Sequence, residues 1–260
     1  MVDSGALFQL SPLFAITLVV VGIVAGVINT LAGGGSNLTL PALMIMGLPA
    51  DVANATNRLG VLMQSVTAAK DFDRNGQLAR HDLFGILKPT LLGSLVGAVV
   101  AAFAPSEWLK PALLIAMTSM ALIILIRPSV VAPPLGTKAM SMDEAPHARL
   151  TLFLAGVYGG FVQAGVGFIL IAALAGSLRY DLVKTNAIKM VCTAALTVAA
   201  LAVFIWQGLV AWVPGLILAV GTVIGAKIGV RIAIKASTKG LKWFLFLMTI
   251  FASFAALLKG

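Results

Sequence analysis

The sequence predicts an all-α polytopic membrane protein: two inverted-topology repeats of about five hydrophobic segments each, with segments 2 and 7 as short broken or re-entrant helices. Three observations carry this prediction. Of 260 residues, 60% are hydrophobic and only 10% charged, with a mean hydropathy of +1.05; a soluble domain is about 25% charged. Apolar runs near 20 residues recur from end to end, at 13–31, 83–103 and 243–258 among others, which is the length a helix needs to cross a ~30 Å hydrocarbon core. Strand-like alternation over shorter stretches, the mark of a membrane β-barrel, is not visible. Third, the two halves of the chain resemble each other in sequence.

Ten hydrophobic segments follow in order, at roughly 11–32, 36–48, 52–69, 83–103, 109–126, 149–164, 166–178, 183–206, 209–230 and 241–258. Segment 1 is preceded by MVDSGALFQLSP, which holds no Lys or Arg, so it is expected to be a retained span rather than a signal peptide. Segments 2 and 7 have 13 residues each; at 1.5 Å per residue they cover only ~20 Å and do not span as straight helices. Lys70, Arg74, Arg80 and Lys88 cluster around the connection from segment 3 to 4; Arg127, Lys138 and Arg149 flank the connection from 5 to 6; Arg179, Lys184 and Lys189 lie near the start of 8; Lys227, Arg231, Lys235, Lys239 and Lys242 surround the turn from 9 to 10. If these four clusters are cytoplasmic, every connection alternates sides and both termini lie outside. Trp108, Trp206, Trp212 and Trp243 all fall at segment ends, where an aromatic belt is expected. The net charge of +9 is thereby explained by loops facing the cytoplasm, and no nucleic-acid partner is expected; the partner implied is the lipid bilayer.

The repeat is visible in three places. GIVAGVINTLAGG at 22–34 aligns with GVYGGFVQAGVGF at 156–168, pairing Gly22, Gly26 and Gly33 with Gly156, Gly160 and Gly167, and Asn29 with Gln163. ATNRLGVL at 55–62 aligns with KTNAIKMV at 184–191, and GSLVG at 93–97 with GTVIG at 221–225. The N-terminal repeat is therefore placed at 1–126 and the C-terminal repeat at 149–260, joined by a Pro-rich linker at 127–148 that holds Pro128, Pro133, Pro134 and Pro146. An odd number of segments per copy forces the second copy to insert upside down. Paired interrupted segments in such repeats point to a transporter's binding site.

The stretch INTLAGGGSNLTLP at 28–41 fits that expectation. Its three glycines break a helix, and a new short helix is expected to start near Ser36 or Asn37. Broken backbone at membrane depth is tolerated where it is buried in protein or lines a cavity, and the unpaired N–H groups of a helix start favour an anion. The candidate substrate-binding residues are thus Asn29, Gly33, Gly34, Gly35, Ser36 and Asn37 in the first half and Gln163, Gly165 and Gly167 in the second. Thr56, Asn57, Thr185 and Asn186 join them as the repeated Thr-Asn pair, and Arg58 and Lys189 as the charges nearest the breaks. For each a plainer role stays open: close helix packing for the glycines, as for the GxxxG pairs Gly93/Gly97 and Gly221/Gly225, interhelical hydrogen bonds for the asparagines, and snorkelling to the interface for Arg58 and Lys189.

The motifs AGVINTLAGGGSNLTLPALMIMGLP at 25–49 and ANATNRLG at 53–60, with their degenerate second-half copy, resemble the TauE/SafE family of membrane proteins over nearly the whole chain. The resemblance implies a transporter in a bacterial inner membrane, a small anionic substrate such as sulfite or a short sulfonate, and no cofactor; it leaves a homodimer open. One departure is Ser36, which stands where the family often has a fourth glycine; its hydroxyl is expected to cap the short helix or contact substrate. All nine acids, Asp3, Asp51, Asp71, Asp73, Asp82, Glu107, Asp143, Glu144 and Asp181, fall at segment ends or in loops, which disfavours a proton relay. His81 and His147 stand alone and Cys192 lies in an apolar run, so neither a metal site nor an enzyme's nucleophile–base pair is expected. An anion channel, a transporter of another small solute and a non-transporting assembly or lipid-binding protein remain as rivals.

Overall fold

The computed structural model describes residues 12–105, 107, 108, 111, 115, 137–236 and 240. Segment 10 and all of segment 5 but residues 111 and 115 lie outside the described residues, as does the first part of the linker, 127–136. The described residues are all-helical: α1 Pro12–Leu31, α2 Ser36–Ile45, α3 Ala50–Arg74, α4 Leu83–Phe103, α5 His147–Phe161, α6 Val166–Ile171 continuing into a π-helical stretch Ala172–Ser177, α7 Leu182–Trp206 and α8 Trp212–Lys235. Four of these, α1, α4, α7 and α8, are long and apolar enough to cross a membrane. The 25-residue α3 is as long as α7, but it carries Asn54, Asn57, Arg58 and Gln64, all buried. It therefore sits inside the bundle, packed by α2, α7 and α8.

The helices that face outward show it in their spacing. Along α8 the exposed apolar side chains include Val213, Leu216, Val220, Ile224, Ile228 and Ile232, an apolar stripe at helical periodicity. Along α4 they include Leu92, Leu95, Val96, Val99 and Val100. Such a surface is stable against acyl chains and not against water.

Two helix pairs hold the ends of the bundle, α1 on α8 and α4 on α5. A Cβ added to Gly22 or Gly26 would strike the carbonyl oxygens of Leu218 and Thr222, respectively; one added to Gly93 or Gly97 would strike those of Phe153 and Val157. A four-residue step on one helix is matched by a four-residue step in the same direction on the other, so both pairs run parallel. Glycine is required because the backbones themselves are in contact, and small residues at such a crossing supply the packing that lipid-solvated helices otherwise lack. The expected packing role of Gly93, Gly97, Gly221 and Gly225 is thus met.

Candidate functional site

Both interruptions fall where the sequence places them. After Leu31 the chain turns at Gly33, whose φ of +94° lies in the left-handed region that glycine adopts without cost, and α2 begins at Ser36. After Phe161 the turn uses Gln163 at φ +66° and Gly165 at φ +76°, and α6 begins at Val166. A left-handed glutamine is uncommon; here its side chain is held at both ends, accepting from Arg58 Nη1 at 2.6 Å and donating to Thr197 Oγ1 at 3.0 Å. The two breaks touch. The Cα atoms of Gly33 and Gly167 approach so closely that a Cβ on either would overlap the other's backbone. Gly34 faces the Phe168 ring, and Gly35 packs on the Ala25 carbonyl and the Asn29 side chain.

The polar residues divide into two groups. In the first, Asn57 of α3 bridges two positions on α2, donating from Nδ2 to Ser36 Oγ at 3.1 Å and accepting from Thr39 Oγ1 at 2.5 Å. The Ser36 hydroxyl does not cap α2: the capping position is Gly35, with no side-chain hydrogen bond to the helix start. Asn57 occupies the serine from the other side. Thr39 is a partner that the sequence reading passed over; its signal was the spacing of three residues from Ser36, which puts both hydroxyls on one helix face.

The second group concerns the carbonyls left over where α1 and α5 stop. A helix's last four carbonyls lack intrahelical donors. In α1 the backbone ladder ends with Ala32 and Gly33 donating to Ile28 O, and in α5 with Val162 donating to Tyr158 O. The carbonyls just beyond are taken by buried cations. Lys189 Nζ of α7 donates to Asn29 O and Thr30 O, both at 3.0 Å, and to Asn186 Oδ1 at 2.7 Å. Arg58 of α3 donates to Gly159 O at 3.0 Å, Gly160 O at 2.6 Å and Phe161 O at 3.5 Å, with its guanidinium 4.8 Å from the centre of the Phe204 ring. Both cations are fully buried; neither snorkels to the interface. Each complements the negative end of a helix dipole.

The remaining candidates are placed as follows. Asn29 is buried beside Gly35. Asn37 is part-buried, and its Oδ1 has no hydrogen-bond partner among the described residues. Thr56 and Thr185 are not brought to the breaks: Thr56 Oγ1 accepts from Ala211 N at the start of α8, and Thr185 Oγ1 donates to Tyr180 O. Cys192 is a buried free thiol. Among the described residues, no three His, Cys, Asp or Glu side chains are grouped to hold a metal ion.

Comparison with known proteins adds to this geometry. The chain is 29% identical over 235 residues to a protein of Escherichia coli K12 named "Probable membrane transporter protein YfcA", covering 90% of this chain and 86% of that one. It is 27% identical over 241 residues to "Probable membrane transporter protein ORF9" of a Sinorhizobium species, covering 90% and 88%. A "Probable membrane transporter protein" of Haemophilus influenzae is 29% identical over 228 residues, covering 85% and 84%. The family model described as "Sulfite exporter TauE/SafE" matches residues 18–256, and this chain belongs to that family.

Proposed function

We propose that the chain is a transporter that exports a small anion, sulfite or a short organosulfonate, across a bacterial inner membrane. The substrate is held near the midplane between the two helix breaks and reaches each side in turn as two inverted repeats rock against each other. The observation that carries this is the meeting of the breaks at Gly33 and Gly167, next to two helix starts without side-chain caps. N–H groups at a helix start carry partial positive charge. The reciprocal packing of α1 on α8 and α5 on α4 supports the inverted repeat, since each copy's first helix lies along the other copy's last described one. Leu40 and Leu43 share a core cluster with Leu18, which supports a re-entrant course for α2 back along α1.

Asn29, Asn37, Gln163 and Asn186 surround the substrate with amide groups in this proposal, Gly33, Gly34, Gly35, Gly165 and Gly167 let it approach the backbone, and Ser36 and Asn57 hold α2 in place. Transport is driven by potential and not by protons. An inside-negative 100 mV pushes each negative charge outward by ~2.3 kcal/mol, and no Asp, Glu or His is fully buried among the described residues. The test is efflux of labelled sulfite and short sulfonates from proteoliposomes under a clamped potential, with internal pH recorded. Efflux that saturates, shows trans-stimulation and moves no protons is expected; non-saturating flux would make it a channel. Gly34→Leu, which drives a side chain into the Phe168 ring, should abolish flux. Asn37→Ala should lower it about tenfold, the loss of one hydrogen bond to a charged group. Flux surviving both variants would remove the breaks from the transport path.

A further inference from the structure

The buried charge around the breaks does not balance, and the imbalance specifies the substrate's charge. Lys189 Nζ faces three oxygens, Asn29 O, Thr30 O and Asn186 Oδ1, at 2.7–3.0 Å. An ammonium has three N–H donors and no acceptor; a neutral amine would leave one oxygen opposed to its lone pair. The geometry is that of the cation. Arg58 spends four of its five N–H donors on Gly159 O, Gly160 O, Phe161 O and Gln163 Oε1 and is charged under all ordinary conditions.

The helix ends do not offset this charge. The C-termini of α1 and α5 each contribute about half a negative charge, and the N-termini of α2 and α6 about half a positive one. Two ends of each sign cancel, so two positive charges remain. No buried carboxylate is present among the described residues to answer them, and an unpaired buried cation is costly. Each cation group also retains one unspent buried donor: Arg58 Nε, and the Nδ2 of Asn186, whose Oδ1 Lys189 already holds. Thr30 is three residues before Gly33, and Gln163 four before Gly167, so no more than ~14 Å of chain separates the nearest of each cation's partners from the touching glycines.

We propose that the site selects a dianion: a small oxyanion carrying two negative charges, answering Arg58 and Lys189 together, with Arg58 Nε and Asn186 Nδ2 donating to its oxygens. The proposal rests on the anion-transport reading and sharpens it. Charge is tested apart from shape with sulfate against methanesulfonate, tetrahedral anions of similar size that are doubly and singly charged at neutral pH, and with 1,2-ethanedisulfonate against ethanesulfonate. Binding to the purified full chain is measured by titration calorimetry and by the anion-dependent rise in Tm. The dianion of a pair should bind tighter by on the order of 10- to 100-fold, the effect of one more charge a few ångströms away at intermediate dielectric. Lys189→Gln and Arg58→Gln should each collapse that ratio towards one, and Lys189→Arg should preserve it. Cations that only cap helix ends would lower Tm when removed and leave the ratio unchanged.

In proteoliposomes, two charges should cross per labelled dianion. A monoanion bound as tightly as its dianion overturns the proposal and leaves anion transport standing. Absence of binding by all four anions overturns both. Since the wild-type ratio decides by itself, failure of a variant to fold does not protect the idea.

Discussion

At Gly33 two demands fall on one residue. Its φ of +94° excludes an easy L-residue, and its Cα lies against Gly167, so no Cβ fits on either side of the contact. Gly47 has nearly the same φ, +96°, but a Cβ there meets nothing within 4 Å. The pair separates conformation from space. Gly47→Ala should cost ~1 kcal/mol, the left-handed penalty alone. Gly33→Ala should cost that plus ~1–3 kcal/mol of overpacking. Thermal unfolding in detergent measures both, and equal losses would mean that the breaks are not in tight contact. Gly33, Gly167, Asn57 and Asn186 were legible in the sequence because the repeat displays them twice. The roles of Arg58 and Lys189 were not. With Asn57 aligned on Asn186, Arg58 falls on Ala187 and Lys189 on Gly60, so the repeat hides their equivalence. It emerges only from partners about 100 and 160 residues away. Similarly, Ser36 reads as a cap from its position, and only the fold reveals that Asn57 reaches it first.

Between elements, the parallel crossings of α1 with α8 and α4 with α5 depend on backbone contact. At Gly26 a Cβ would sit 2.5 Å from the Thr222 carbonyl oxygen and 3.0 Å from Gly225 Cα, both backbone atoms with nowhere to go. At Gly85, in the first turn of α4, the nearest atom is the Met142 side chain at 3.1 Å, which can swing aside. Gly26→Ala should therefore lower stability by ~1–3 kcal/mol. Gly85→Ala should be neutral or stabilising by up to ~1 kcal/mol through helix propensity. The readouts are Tm and the monodisperse fraction after extraction. A harmless Gly26→Ala would show that α1 and α8 stand further apart than described. Helix extents were readable to within a few residues because hydropathy marks them: segment 4 coincides with α4, and segment 1 with α1 to one residue at each end. The sequence reading stopped segments 3 and 9 short, at 69 and 230, where α3 and α8 run on to Arg74 and Lys235. Those last turns carry charged residues, Lys70, Asp71, Asp73 and Arg74 in one and Arg231 and Lys235 in the other, and hydropathy marks the membrane core rather than the end of the hydrogen-bond ladder.

For the molecule as a whole, the proposed inversion makes a claim about sides that a pair of labels can decide. In two oppositely inserted copies, the connection from α3 to α4 and its counterpart from α7 to α8 face opposite sides of the membrane. The first carries exposed Arg74 and Arg80 and is expected in the cytoplasm; the second lies between Trp206 and Trp212, both exposed, and is expected outside. Gly76 and Gly208 stand in these connections, each with open space around an added Cβ and a φ of +68°, so a cysteine at either costs only the left-handed strain of about 1 kcal/mol. The native Cys192 is buried and leaves a quiet background. In intact cells a membrane-impermeant maleimide should label Gly208→Cys and spare Gly76→Cys; in inside-out vesicles the order should reverse. The opposite order would keep the inversion and exchange the two sides, making the termini cytoplasmic and the basic clusters external. Labelling of both sites from one side would end the inverted-repeat reading, because two copies inserted in the same sense place equivalent connections on the same face.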